Sequence, residues 1–183
     1  MATALKVVFI PGSLHKNSLN KKLLEVCVEI CKQKNVEPFM ISQSDLNTPL
    51  INTDDPSLFP ASMKSLAEKI SAANAVIIGA PEYNAGISPV LKNLIDWTST
   101  LRPHPWKGKD VLLVGSSPGD FGAITGLAHS RSPLDRLGAR VWPQPYALPH
   151  GDKVINGTKL NDEVRQKNLE TTLDAFLKSL HSV

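Results

Sequence analysis

Three short segments hold the residue types and spacings that chemistry would need. The first is Pro11-Gly12-Ser13-Leu14-His15-Lys16-Asn17-Ser18-Leu19-Asn20, with hydroxyls on Ser13 and Ser18, an amide on Asn20 and basic groups on His15 and Lys16. It runs into a helical pattern, and the free N–H groups and partial positive charge at a helix start suit a phosphate. The same residues would equally make an ordinary N-cap with solvated polar neighbours. The second is Pro81-Glu82-Tyr83-Asn84-Ala85-Gly86-Ile87-Ser88-Pro89. Here Tyr83 could lie against a flat ring, backbone around Asn84 could meet its polar edge, and Gly86 permits a close approach or an unusual backbone angle. A plain turn with a locally packed tyrosine accounts for this segment as well. The third is Gly115-Ser116-Ser117-Pro118-Gly119-Asp120-Phe121-Gly122.

The third segment matches G-x-S-x-G, the nucleophile elbow of α/β-hydrolases, with Ser117 in the nucleophile position. In that arrangement the residue after the serine donates its backbone N–H to the oxyanion. Pro118 has no N–H to donate, so His129 or His150 as a base would serve a site lacking a standard donor. The glycines fit better as a loop that lets backbone approach a ligand. Two glycine signatures are missing: Gly12 stands alone where G-x-G-x-x-G needs three, and G-x-x-x-x-G-K-[ST] is absent. These absences argue against a Rossmann dinucleotide site and a P-loop.

Alternating strands and helices must position the three segments. Lys6–Ile10 reads as a buried strand ended by Pro11-Gly12. From Leu19, the residues Leu23, Cys27, Ile30 and Cys31 recur at helical spacing. A second strand follows around Pro38–Ile41, then a long loop from Gln43 to Pro60, then a helix burying Met63, Leu66 and Ile70. Ala75–Ala80 is apolar throughout, as a parallel strand covered on both faces would be. Ser88 is set to cap a helix with Pro89 in its first turn. A fourth strand spans Asp110–Gly115, a helix runs from about Ala123 to Leu137, and a fifth strand begins at Ala139–Trp142. A last helix covers about Asn161 to Leu180, with Val164, Leu169, Leu173, Phe176 and Leu177 as core candidates. Five strand–helix alternations require crossovers, so the expectation is a flavodoxin-like α/β fold: a five-stranded parallel sheet with helices on both faces. Ligands of such sheets bind beyond the carboxyl ends of the strands. All three segments fall there.

Composition narrows the function classes. The chain has 183 residues, 42% of them hydrophobic, which suits one domain over 1–183 with a real core. A net charge of +3 without a basic block gives no case for nucleic acid or anionic membrane as partner. No apolar run approaches the roughly 20 residues needed to span a bilayer. Met1–Lys6 lacks the layout of a signal peptide, so a cytoplasmic location is expected and the sequon Asn156-Gly157-Thr158 reads as accidental. Cys27 and Cys31 share a helical face. With no further Cys or His nearby to complete a metal set, they read as small core residues.

Taken in order, the three loops resemble the NADPH-dependent FMN reductase family, which includes chromate and quinone reductases and related azoreductases. The likeness rests on Gly12–Asn20, on Pro81-Glu82-Tyr83-Asn84 followed by Leu91-Lys92-Asn93-Leu94-Ile95-Asp96-Trp97, on Ser117-Pro118-Gly119 with Gly122, and on Leu137-Gly138-Ala139. It extends to about Trp142. The resemblance implies FMN bound non-covalently, with Ser13, His15, Ser18, Leu19 and Asn20 around its phosphate. It places Pro81, Glu82, Tyr83 and Asn84 along the isoalloxazine, and Ser117, Gly119 and Gly122 at the other edge or the nicotinamide side. It further implies ping-pong hydride transfer from NADPH or NADH to a small-molecule electron acceptor such as a quinone, azo compound, metal oxyanion or free flavin. No side chain is assigned as acid or base. A homodimer or homotetramer is implied, with a neighbouring subunit helping to form the pocket. The chain departs from the family at His15, where arginine is common; a histidine is not obligatorily charged near pH 7 and implies a weaker hold on phosphate. Asp120 adds a negative charge to the third loop. The rival readings are a flavin-binding electron carrier or sensor with little turnover, a serine hydrolase using Ser117, and a flavin-free interaction module.

Overall fold

The computed structural model describes residues 3–180; Met1 and Ala2, part of the N-terminal stretch read above, lie outside them. The apolar run that Pro11 closes forms β1 (Leu5–Pro11), and the amphipathic stretch after it forms α1 (Leu19–Lys32). Then come β2 (Val36–Met40), α2 (Ala61–Ala72), β3 (Ala75–Gly79), a short hairpin of β4 (Glu82–Tyr83) and β5 (Gly86–Ile87), α3 (Pro89–Ser99) and β6 (Asp110–Ser116). The chain continues through α4 (Ile124–Arg136), β7 (Arg140–Val141), β8 (Tyr146–Leu148), α5 (Gly151–Val154), a second hairpin of β9 (Ile155–Asn156) and β10 (Lys159–Leu160), and α6 (Glu163–Ser179). The segment from 43 to 60 stays largely irregular, interrupted by short 3-10 turns at Gln43–Leu46 and Pro56–Leu58.

The main sheet has the order β2-β1-β3-β6, with β7 and β8 sharing the outer edge of β6, and every pairing in it is parallel. This is the flavodoxin-like order, and its topological switch lies between β1 and β3. The expected fifth strand is present but broken. β7 pairs with Asp110 and Val111, and β8 resumes against Val114–Ser116. Pro143 and Pro145 lie between the two pieces, and a proline has no N–H to give to a ladder.

Side-chain alternation along the strands separates two apolar layers. Val8, Ile10, Val76, Ile78, Val111 and Leu113 pack with Met63, Leu66 and Ile70 of α2, Leu91, Leu94 and Ile95 of α3, and Leu127 and Leu134 of α4. The other face carries Val7, Phe9, Ala75, Ile77, Leu112 and Val114, covered by Leu23 and Cys27 of α1 and Leu169, Leu173 and Phe176 of α6. Helices therefore cover both faces, as the alternation predicts. Val164 corrects one expectation, being 69% exposed. It lies five residues before Leu169, hence about 140° around the helix from that stripe. No helix among the described residues is long and apolar enough to cross a membrane.

Cys27 and Cys31 are free and buried under this second face, and no metal-holding cluster of His, Cys, Asp or Glu occurs among the described residues. Burial, followed by the neighbouring Cys31, holds the Cys27 thiol well above its ordinary value. Burial pushes Cys31 from 9.0 up to about 12. Both thiols ionise more readily in the unfolded chain. Their contribution to stability is therefore complete below pH 9.0 and is lost as pH rises through the folded value. Urea titrations across this window are expected to show stability falling by about 1.4 kcal/mol per pH unit for each thiol, so by about 2–3 kcal/mol per pH unit while both titrate. The doubly substituted Cys27→Ala/Cys31→Ala protein, less stable overall, should show a visibly flatter fall.

Candidate functional site

β1, β3 and β6 end side by side, which brings the three chemistry-bearing segments together. They line a cavity of about 290 Å³ formed by Ser13, His15, Asn17, Ser18, Leu19 and Asn20 from the first loop, Pro81, Glu82 and Tyr83 from the second, and Ser116, Ser117 and Pro118 from the third. Asn17, Ser116 and Pro118, to which the sequence assigns no ligand contact, join the lining. Asn84, Gly119 and Gly122 lie outside it.

The first loop is a helix entry with donors left over. Ser18 caps α1, its hydroxyl accepting the Lys21 N–H at 3.2 Å. The N–H groups of Leu19 and Asn20 in the same first turn have no partner among the described residues, the usual state of a helix start. The Ser13 hydroxyl accepts the His15 N–H at 3.2 Å. The Asn17 N–H donates to His15 Nδ1 at 3.1 Å, so the neutral ring carries its hydrogen on Nε2. Gln43 braces this loop from outside. Its amide donates to the Ser13 carbonyl at 2.5 Å and the His15 carbonyl at 3.0 Å. Gln43 opens the long irregular segment, and no local pattern marks it as a partner of residues 28 and 30 positions away.

Buried hydrogen bonds fix the loops to one another. The Asn20 side chain pairs with Ser116 in both directions: Nδ2 donates to the Ser116 carbonyl at 3.0 Å, and the Ser116 N–H donates to Oδ1 at 2.9 Å. Both residues are buried. Ser88, fully buried, accepts the Leu91 N–H at 3.1 Å as the N-cap of α3, and its hydroxyl donates to the Gly12 carbonyl at 2.6 Å. A Cβ at Gly12 would lie 2.8 Å from the Gly79 carbonyl and 2.9 Å from Pro81 Cδ. The first loop can pass the second this closely because that residue is glycine.

The second loop is the β4–β5 hairpin, turned by Asn84 and Ala85 at φ 50° and 59°. Two successive positive φ values give the turn type whose twist matches a tight hairpin. Tyr83 is half exposed on it. The Glu82 carboxylate is engaged elsewhere: Oε2 accepts the Gly126 N–H at 2.9 Å. It thereby caps α4, whose own N-cap residue, Ala123, offers no side-chain bond. A Cβ at Gly126 would meet Glu82 Cα at 2.8 Å, so glycine is what lets the helix reach the hairpin. Gly122 has φ 58°, and a Cβ there would lie 2.7 Å from the backbone of Leu148 and Pro149. It shapes the third loop rather than lining the cavity.

The hydrolase arrangement does not form. The Ser117 hydroxyl donates to the Gly119 carbonyl at 3.3 Å. His150 commits both ring nitrogens, one to the Pro118 carbonyl at 3.1 Å and one to Asp120 at 3.0 Å. His129 is exposed on α4. Among the described residues no base is hydrogen-bonded to Ser117. Asp120, whose side chain is 82% exposed, is turned onto His150.

The family model described as NADPH-dependent FMN reductase matches residues 5–153. An NAD(P)H-dependent FMN reductase of Pseudomonas aeruginosa is 36% identical over 151 residues, 81% of this chain and 79% of that protein. A 2-hydroxy-1,4-benzoquinone reductase of Burkholderia sp. is 31% identical over 180 residues, 94% of each chain. Among solved structures, the flavoenzyme NAD(P)H:(acceptor) oxidoreductase FerB of Paracoccus denitrificans superposes with a TM-score of 0.86 at 29% identity, covering 98% of both chains.

Substitutions should separate the loop braces from the half-buried Ser117. Asn20→Ala strands a buried N–H and carbonyl at Ser116 and should cost about 2–3 kcal/mol of unfolding free energy in urea titration. Ser117→Ala should change stability by less than about 0.5 kcal/mol.

Proposed function

The chain belongs to the NADPH-dependent FMN reductase family, and from that premise we propose that it is an FMN-dependent NAD(P)H oxidoreductase that reduces quinones or similar small acceptors. The observation that carries this reading is the first loop. It offers the open Leu19 and Asn20 N–H groups at a helix start, the Ser13 and Ser18 hydroxyls and His15 Nε2, with no carboxylate among residues 11–20. That donor set fits a phosphate monoester.

In this reading Ser13, His15, Ser18, Leu19 and Asn20 hold the FMN phosphate, Pro81, Glu82, Tyr83 and Asn84 border the ring, and Ser117, Gly119 and Gly122 shape its other edge. The flavin would supply hydride acceptance from a nicotinamide and delivery to the acceptor. The protein's own part is positional. Ser88, Asn20 and Glu82 fix the three loops, so backbone dipoles meet the ligand already oriented. Tyr83 borders the open side, where nicotinamide and acceptor would follow each other. The whole chain acts as one cytoplasmic FMN-binding unit, assembling as a homodimer or homotetramer. Leu14, Tyr83, Phe121 and Ile124 support that assembly, since all are exposed on the segments that frame the cavity.

The visible spectrum of the purified protein tests this. A flavin spectrum, recovered on reconstitution with FMN if lost, should bleach with NADPH or NADH and return when quinone is added. Colourless protein that cannot be reconstituted would sink the proposal, and bleaching without steady quinone turnover would leave an electron carrier. Since arginine is always charged, His15→Arg should slow FMN loss on dialysis by about tenfold.

A further inference from the structure

At the opposite end of the sheet lies a second cavity, of about 570 Å³, walled by Arg102, His104, Lys107, Arg136 and Leu137. It sits where α3 and α4 end and β6 and β7 begin. We propose that this cavity is a binding site for a compact polyphosphate group.

The charge there is uncompensated. Arg102, Lys107 and Arg136 supply three positive charges, and no carboxylate lines the cavity. Three acids on the adjoining elements are already engaged, Asp96 with Lys92, Asp110 with Arg140, and Asp135 with Arg131; Glu68 of α2 lines a neighbouring cavity that shares Arg102. Lys107 and Arg136 make no ion pair or side-chain hydrogen bond among the described residues, and His104 Nδ1 is buried without a partner.

Helix ends attract cations for purely structural reasons, and that explanation covers Arg102 and the charge of Arg136 in the last turn of α4 but not Lys107. Arg102 donates through one terminal nitrogen to the Ser99 and Leu101 carbonyls, both at 2.7 Å, closing the end of α3 and leaving the rest of its guanidinium free. The end of α4 is closed by backbone alone: the Leu137 N–H donates to the Pro133 carbonyl at 3.2 Å, Gly138 to Asp135 at 2.9 Å, and Ala139 to Leu134 at 3.1 Å. Arg136 is surplus to that closure.

The walls are held in place. Trp106 is fully buried, and its indole N–H donates to the Thr98 hydroxyl at 2.9 Å. The Gly108 N–H donates to the Gly138 carbonyl at 2.7 Å, joining the two loops beneath the cavity. Gly138 has φ 77°, and a Cβ there would lie against Lys107 at 3.8–3.9 Å. Two arginines and a lysine grouped around a concave space, on backbone that is braced beneath them, match the several oxygens and multiple charge of a diphosphate better than one carboxylate. Extended nucleic acid would need a basic stripe rather than a closed cluster.

The test is calorimetric titration with pyrophosphate at low salt, with excess FMN present to occupy the first loop, and in parallel with ADP. Saturable pyrophosphate binding that weakens at least about tenfold in Lys107→Gln/Arg136→Gln is expected. Both side chains are exposed and unpaired, so the double variant should keep its fold and its FMN binding; circular dichroism and flavin titration check this. Tighter binding of ADP than of pyrophosphate, lost in the same variant, would support the site and assign it to a nucleotide-borne diphosphate. Equal or weaker ADP binding would assign it to the free anion. No binding of pyrophosphate, or binding unchanged in the double variant, would overturn the proposal.

Discussion

The paired hydrogen bonds between the Asn20 side chain and the Ser116 backbone are the constraint on which the site depends. β6 ends at Ser116, and Asn20 supplies a donor and an acceptor there in the way another strand would. The pairing is buried, where an unsatisfied amide is costly. It therefore fixes the start of α1 over the end of β6, and the first loop has little freedom left between β1 and that point. Ser88 and Gly12 tie the first loop to the second, and Glu82 ties the second to α4. Three loops that share no ladder are thus closed into one rim.

The elements of this fold are legible in the sequence because each has a local cause. Leu19 opens α1 where the helical spacing begins, and Ser88 with Pro89 caps α3 as their types require. The site residues are legible in part. Ser13, His15, Ser18, Leu19, Asn20 and Tyr83 reach the cavity as their positions at strand ends imply, whereas Lys16 does not line it. What local pattern could not supply is the assignment of partners. Glu82 and Gly126 are 44 residues apart, and Gln43 lies 30 and 28 residues from its partners Ser13 and His15; neither pairing leaves a periodic trace. The break in the fifth strand had a cause in plain view, Pro143 and Pro145. The exposure of Val164 follows from helical phase, which sets it about 140° from Leu169.

The placement of acids shows why the rim is polar without being strongly charged. Glu82 lines the cavity, yet one of its oxygens is held by the Gly126 N–H at the start of α4, where negative charge is favoured. Asp120 reaches out of the third loop to His150 instead of inward. With both carboxylates engaged elsewhere, the polarity of the cavity comes from backbone N–H groups, hydroxyls and His15. Fixed dipoles of this kind need no reorganisation when charge develops on a bound group. They also discriminate little between acceptors of different shape, because no pair of side chains is set to bind one substituent. A rim built by backbone and closed by side chains behind it can therefore hold one ligand firmly while leaving its open face tolerant.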